Sequence, residues 1–254
     1  MSASLVDLAA RLRALHLPGS PVVLPNAWDV ASARRLAKGS AALATTSAGV
    51  ANALGWPDGE AIPAVEMFTA VARIAAAVEL PVTADLEAGY GLSPKELAAR
   101  VVASGCVGLN LEDTDHARGK GVLVDASRQA ERIAALKEAG RAEGVDLVVN
   151  ARVDTFLGGG LTGAARIEET LRRGRLYLAA GADCIYPITA HEEGDIRAIV
   201  DGLGRAPVNV MALPVAPPLA KLAALGVARI TFGSQLMRSA LDEAERALQA
   251  YVAR

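Results

Sequence analysis

The chain has 254 residues, 52% of them apolar and only 4% aromatic, with a formal net charge of −2. That balance excludes the strong basic field that draws nucleic acid or anionic membranes. The apolar runs are too short, and too often broken by glycine or charge, to span a membrane.

The segment 1–17 is amphipathic, with Arg11 and Arg13 inside it, and lacks the continuous apolar stretch of a signal peptide. A cytoplasmic protein is expected. Short apolar strands then alternate with longer helical segments. Val22-Val23-Leu24 reads as the first strand, and 26–38 as a helix stopped by Gly39. Strands follow at 41–45 and 82–86, with a helix at 64–78 between them. Ser93-Pro94-Lys95-Glu96 opens the next helix with a cap, a proline at the first helical position and a reciprocal Glu. Strands at 107–111, 147–151, 184–186, 208–211 and 228–232 then alternate with helices at 126–143, 164–180, 192–203 and 218–225, and a helix at 234–252 closes the chain.

These make eight strand–helix units across 1–254 without a linker or low-complexity segment. The expectation is an α/β fold, a single (β/α)8 barrel of TIM type, with strands read as apolar runs buried on both faces. An open doubly wound sheet is the other arrangement of parallel strands, but no G-x-G-x-x-G follows the first strand. Cys106 and Cys184 lie in strand-like contexts and read as reduced core residues.

Barrel active sites lie at the C-terminal strand ends. Asp85 and Glu87 are two apart at the end of the third strand and share a face in extended backbone, and Glu112 ends the fourth strand. Three converging carboxylates repel one another, and a hard divalent cation with oxygen ligands relieves that repulsion. Arg152 ends the fifth strand, and its planar fork suits a substrate carboxylate or an enolate oxygen. The small-residue turn Thr46-Ser47-Ala48-Gly49 offers backbone N–H groups to an anionic oxygen. Asp58 lies in a long loop after the second strand, within reach of the metal's outer shell, and Asn209 lies on the seventh strand. The glycine-punctuated loop 114–124, with His116, Arg118 and Lys120, reads as a gate beside Glu112.

Several stretches together resemble the isocitrate lyase/phosphoenolpyruvate mutase superfamily. They are Leu24-Pro25-Asn26-Ala27-Trp28-Asp29, Thr46-Ser47-Ala48-Gly49-Val50-Ala51, Gly55-Trp56-Pro57-Asp58, Asp85-Leu86-Glu87-Ala88-Gly89-Tyr90-Gly91, Asn110-Leu111-Glu112-Asp113 and Asn150-Ala151-Arg152-Val153-Asp154. The resemblance implies a Mg2+-dependent enzyme, Mn2+ being the alternative ion, that handles an enolate of a small 2-oxo or 2-hydroxy acid. It implies that Asp85 binds the metal directly, with Asp58, Glu87 and Glu112 acting through waters. It also implies that the Ser47 and Ala48 N–H groups and Arg152 hold the substrate. A homotetramer with the C-terminal helix (234–254) swapped between subunits is implied as well, a dimer being the smaller alternative.

Two departures set the chain apart from the isocitrate and methylisocitrate lyases. Their Lys-Lys/Arg-Cys-Gly-His signature is replaced by Arg118-Gly119-Lys120-Gly121-Val122, and a Glu after the strand-six proline is replaced by Ile188. The Lys-x-Asn pattern of phosphonopyruvate chemistry is missing from the same loop. The leading expectation is a C–C lyase with Arg152, Glu112, Lys120 and Arg118 as catalytic residues. Thr46, Ser47, Ala48, Asp85, Arg152 and Asn209 would bind substrate. A P–C bond mutase or hydrolase and a non-catalytic 2-oxo acid binding protein are the alternatives.

Overall fold

All pairing between strands is parallel. The structure is a computed structural model that describes residues 3–119 and 121–253. The elements run α1 (Leu5–Ala14), β1 (Val22–Val23), β2 (Asn26–Ala27), α2 (Val30–Leu36), β3 (Leu43–Thr45), α3 (Ser47–Ala53), α4 (Ala64–Ala76), β4 (Val82–Asp85), α5 (Pro94–Ala103) and β5 (Gly108–Glu112). The second half continues α6 (Ala126–Ala142), β6 (Val148–Val153), α7 (Gly163–Ala179), β7 (Cys184–Pro187), α8 (Glu193–Gly202), β8 (Asn209–Met211), α9 (Leu219–Ala224), β9 (Arg229–Thr231) and α10 (Gln235–Val252).

Strands β2 to β7 pair in sequence order, and β1, β9 and β8 form a second group. Two joints close them into one barrel. Ile185 of β7 bridges Val208, next to β8. At the other joint, β1 and β2 are two halves of one barrel strand interrupted at Leu24-Pro25, where Pro25 has no N–H to continue the ladder. Before the break Val22 and Val23 pair with Arg229 and Ile230; after it Asn26 and Ala27 pair with Ala44 and Thr45. Counted this way the barrel has eight strands, as expected.

The strand interiors differ from the expected unbroken apolar runs. Ala84, Leu109, Leu111, Val149, Ala151, Ile185, Val210 and Ile230 are buried apolar residues of the core. Between them along the strands stand Thr83, Asp85, Asn110, Glu112, Asn150, Arg152, Asn209, Arg229 and Thr231. A period of two separates the faces of a strand. The apolar set packs outward against the helices, and the polar set fills the lumen.

The segment 26–38 is not one helix. Asn26 and Ala27 belong to the sheet, and α2 begins only after Asp29, whose carboxylate accepts from Ser32 N at 2.6 Å in a reciprocal cap. The turn after β3 is itself a short helix, α3, capped by Thr46. At the opposite end of the barrel α1 begins with a Ser4–Asp7 capping box and buries Leu12 at its base. Helix α10 buries only Met237, while Leu241 and Leu248 on it are 55% and 62% exposed. Among the described residues no helix is long and apolar enough to cross a membrane.

Candidate active site

A cavity of about 180 Å³ opens at the C-terminal strand ends. Its lining includes Asn26, Thr46, Ser47, Ala48, Asp58, Asp85, Asn110 and Arg152, with Leu157, Tyr186, Ile188 and Met211 as apolar or aromatic wall.

Asp85 is the most heavily hydrogen-bonded carboxylate facing this cavity. Its Oδ2 accepts from Ser47 N at 2.9 Å and Ser47 Oγ at 2.8 Å, and its Oδ1 accepts from Asn110 Nδ2 at 3.0 Å. The Asp85 N–H donates to Thr45 Oγ1 at 2.8 Å, tying β4 to β3. The Ser47 N–H, expected to meet a substrate oxygen, is therefore engaged by Asp85. The Ala48 N–H remains in the first turn of α3, where helix geometry supplies no acceptor.

Glu87 and Glu112 stand behind the lining, 3% and 2% exposed. Glu87 has a positive φ of 51°, as does Tyr90 (56°), and both sit in a turn with Gly89 and Gly91. Non-glycine residues in that region carry local strain, which clusters at functional sites. Glu60 N donates to Glu87 Oε2 and Tyr90 Oη to Glu87 Oε1, each at 2.7 Å. Burial pushes the Glu87 pKa up to about 7 against the Tyr90 hydrogen bond, with Asp58 and Asp85 adding to the rise. Asp58 lies in the exposed loop after α3; partial desolvation of its carboxyl, then the charge of Asp85, raises its pKa.

Arg152 is the cation of the site. It grips Asp154 with Nε and Nη2, each at 2.7 Å, and pairs through Nη1 with Glu112 Oε2 at 2.5 Å. Burial raises the Glu112 pKa and Arg152 opposes that rise. The other Glu112 oxygen, Oε1, lies 2.7 Å from His116 Nε2, which brings the loop 114–124 against the site. Behind Arg152, Asp154 Oδ2 accepts from Thr114 Oγ1 at 2.6 Å, and Asp154 N donates to Asp113 Oδ1 at 2.9 Å. Arg173 and Tyr177 of α7 in turn hold Asp113 Oδ2, at 2.9 and 2.7 Å.

Other expected residues are not at the cavity. Asn209 is fully buried and engages Thr231 Oγ1 at 3.2 Å, so it supports a lining residue. Arg118 is exposed on the loop and does not line the cavity. Lys120 lies outside the described residues. The histidines outside the loop 114–124 were not expected at the site: His191 hydrogen-bonds the Thr189 carbonyl, and His16 sits at the barrel base on Leu12 O. Asn110 and Asp154 are among the site residues not singled out from sequence. Each is two positions from a chosen acid or arginine on the same strand face, and that spacing was the available signal.

Among the described residues no three His, Cys, Asp or Glu side chains stand close enough to share one ion directly. Asp58 and Asp85 at the cavity and Glu87 and Glu112 behind it supply carboxylate oxygens, and three of these acids, Asp58, Glu87 and Glu112, have raised pKa values. That oxygen-rich, acidic set suits a hard divalent cation.

Fold and site together define an α/β-barrel protein with an acidic, single-arginine pocket at its strand ends. The family model described as phosphoenolpyruvate phosphomutase matches residues 12–252, and the chain belongs to that family. It is 29% identical over 216 residues to a 2-methylisocitrate lyase of Bacillus subtilis, covering 81% of this chain and 67% of that one. A crystal structure of a Burkholderia cenocepacia J2315 protein superposes with a TM-score of 0.89 at 38% identity, covering 97% of this chain and 99% of that one. A 2,3-dimethylmalate lyase superposes with a TM-score of 0.84 at 27% identity, covering 97% and 88%.

Proposed function

We propose that this chain is a Mg2+-dependent lyase, with Mn2+ as the alternative ion, that cleaves a C–C bond in a small 2-oxo or 2-hydroxy acid through an enolate. The observation that carries the reading is the approach of Asp85 and Arg152 to one cavity of about 180 Å³, with Glu87 and Glu112 behind it. Asp85 would hold the cation, with Asp58, Glu87 and Glu112 reaching it through waters. Bound there, the cation supplies electrophilic pull on the 2-oxo or 2-hydroxy oxygen. Arg152, fixed by Asp154 and Glu112, presents a preset positive charge to the substrate carboxylate and to the developing enolate. Thr46 caps the α3 turn through its bond from Gly49 N at 3.3 Å, and Ala48 of that turn lines the cavity, where its N–H would meet a substrate oxygen. Preorganised donors of this kind contribute on the order of 3–4 kcal/mol each to transition-state stabilisation. The wall of Leu157, Ile188 and Met211 limits water at the reacting carbon. Arg118 would act only as the loop 114–124 closes, and Lys120 lies outside the described residues.

The test is Asp85→Ala assayed over a panel of 2-oxo and 2-hydroxy acids with Mg2+. Turnover is expected to fall by at least about 100-fold. Undiminished turnover in that variant after chelation would sink the reading. A second reading, P–C bond mutase or hydrolase, draws on the phosphomutase family model. Turnover of phosphonopyruvate in preference to every C–C substrate would favour it. We propose also that the chain forms a homo-oligomer, a tetramer with α10 exchanged between subunits or a dimer; the exposed Leu241 and Leu248 of α10 support this reading.

A further inference from the structure

We propose that Arg229 is a positioning residue for Asp85 and acts through Asn110 from the opposite wall of the barrel. Arg229 is the largest fully buried side chain described. It lies on β9, four strands from β5 in either direction around the barrel. Its hydrogen bond to Asn110 Oδ1, at 3.3 Å from Nη2, therefore crosses the lumen.

Asn110 Oδ1 receives a second donor, Asn150 Nδ2, at 2.7 Å. With two donors on the oxygen, the amide NH2 has one sensible direction, toward Asp85 Oδ1 at 3.0 Å. A flipped amide would set its own NH2 against two other donors. Arg229 and Asn150 thus fix the donor that fixes Asp85. The two Asp85 oxygens are not equivalent in this arrangement. Oδ2 accepts two hydrogen bonds from Ser47, while Oδ1 accepts only the one from Asn110. Oδ1 is the oxygen with acceptor capacity to spare, so Asn110 steadies the atom available to a cation.

The guanidinium is an expensive way to fill this space. Among the described residues it forms no ion pair, and its Nε and Nη1 make no hydrogen bond. A buried charge so placed is destabilising compared with a packed apolar side chain of similar volume. What it supplies, and a Met would not, is a donor to Asn110. Outer-shell partners of this kind commonly tune metal affinity by about 10- to 100-fold.

The inference rests on Asp85 being the direct ligand of a divalent cation. The experiment measures Mn2+ binding by the full chain, by electron paramagnetic resonance, beside thermal melting. Arg229→Met is expected to weaken Mn2+ binding by about 10- to 100-fold. Arg229→Lys is expected to restore part of the loss. The double variant Arg229→Met, Asn110→Ala should bind no more weakly than Asn110→Ala alone, because both changes break one chain of contacts. Where Arg229→Met does not fold, Arg229→Lys against Asn110→Ala carries the same comparison. Wild-type Mn2+ affinity in Arg229→Met, or losses that simply multiply in the double variant, overturns the proposal. Wild-type affinity in Asp85→Ala overturns the reading of the site itself and the proposal with it.

Discussion

His16 shows how much one buried group contributes to the pH response of this molecule. It is 6% exposed at the barrel base, and burial, then the charge of Arg229, lowers its pKa from 6.5 to about 4. The folded state therefore binds fewer protons at His16 than the unfolded chain between those two values. Stability from this group is fully present above about pH 6.5 and is lost as pH falls toward 4. The loss is on the order of 3 kcal/mol. Urea unfolding at pH 7, 6 and 5 should show the wild type losing stability relative to His16→Gln as pH falls, whatever the buried acids Glu87 and Glu112 add to both profiles. Equal slopes in the two proteins would contradict it. At the same scale, Asp85, Glu112 and Arg152 were legible in the sequence, since each lies at or next to a strand end; Glu87 was legible as an acid, but it sits two residues past β4 in a left-handed turn rather than in the extended backbone expected of it. The partners of these residues were not. Which oxygen of Glu112 meets Arg152 and which meets His116 depends on loop and strand positions brought together from elsewhere in the chain.

At the level of elements, the longer helices were readable, and the short ones at the site were not. Helix α6 spans Ala126–Ala142 where 126–143 was expected, because Asp125 caps it and its apolar residues repeat at helical spacing. Helix α3 is only seven residues of small side chains and shows no such repeat. Its existence depends on Thr46 capping and on close packing at Gly49. A Cβ on Gly49 would lie 2.5 Å from Thr46 Cγ2 and 3.1 Å from Trp28 Cβ. Neither atom is the free end of a flexible chain, so Gly49→Ala forces a backbone shift. The expected cost is about 1–3 kcal/mol in denaturant unfolding, with a matching loss of substrate affinity as the Ser47–Asp85 contact moves. Unchanged stability would show that the turn has room to spare. The break between β1 and β2 has the same character. Pro25 announces an interruption in sequence, but only the register shows a strand serving two neighbours in turn.

For the whole molecule, α10 is the element least accounted for by the chain alone. Its residues Leu241 and Leu248, seven apart, are both exposed on an 18-residue helix. Seven residues is two helical turns, so they share a face. Replacing both by Glu is expected to yield a lower-mass species in light scattering than the wild type, with the barrel's circular dichroism retained. The same mass for both proteins would remove α10 from the assembly.

The sequence by itself determined the architecture. Eight alternating units of strand and helix have few ways to bury both faces of a parallel sheet, and closing into a barrel removes the edges. It also determined which ends of which strands carry acids. The tertiary structure decided what those acids touch. A strand fixes the face of each side chain by its period of two, but the lumen brings β5 opposite β9, and no local pattern encodes that meeting. Asn110, Asn150 and Arg229 read as polar interruptions in apolar strands. Only closure of the barrel turns them into the floor beneath Asp85.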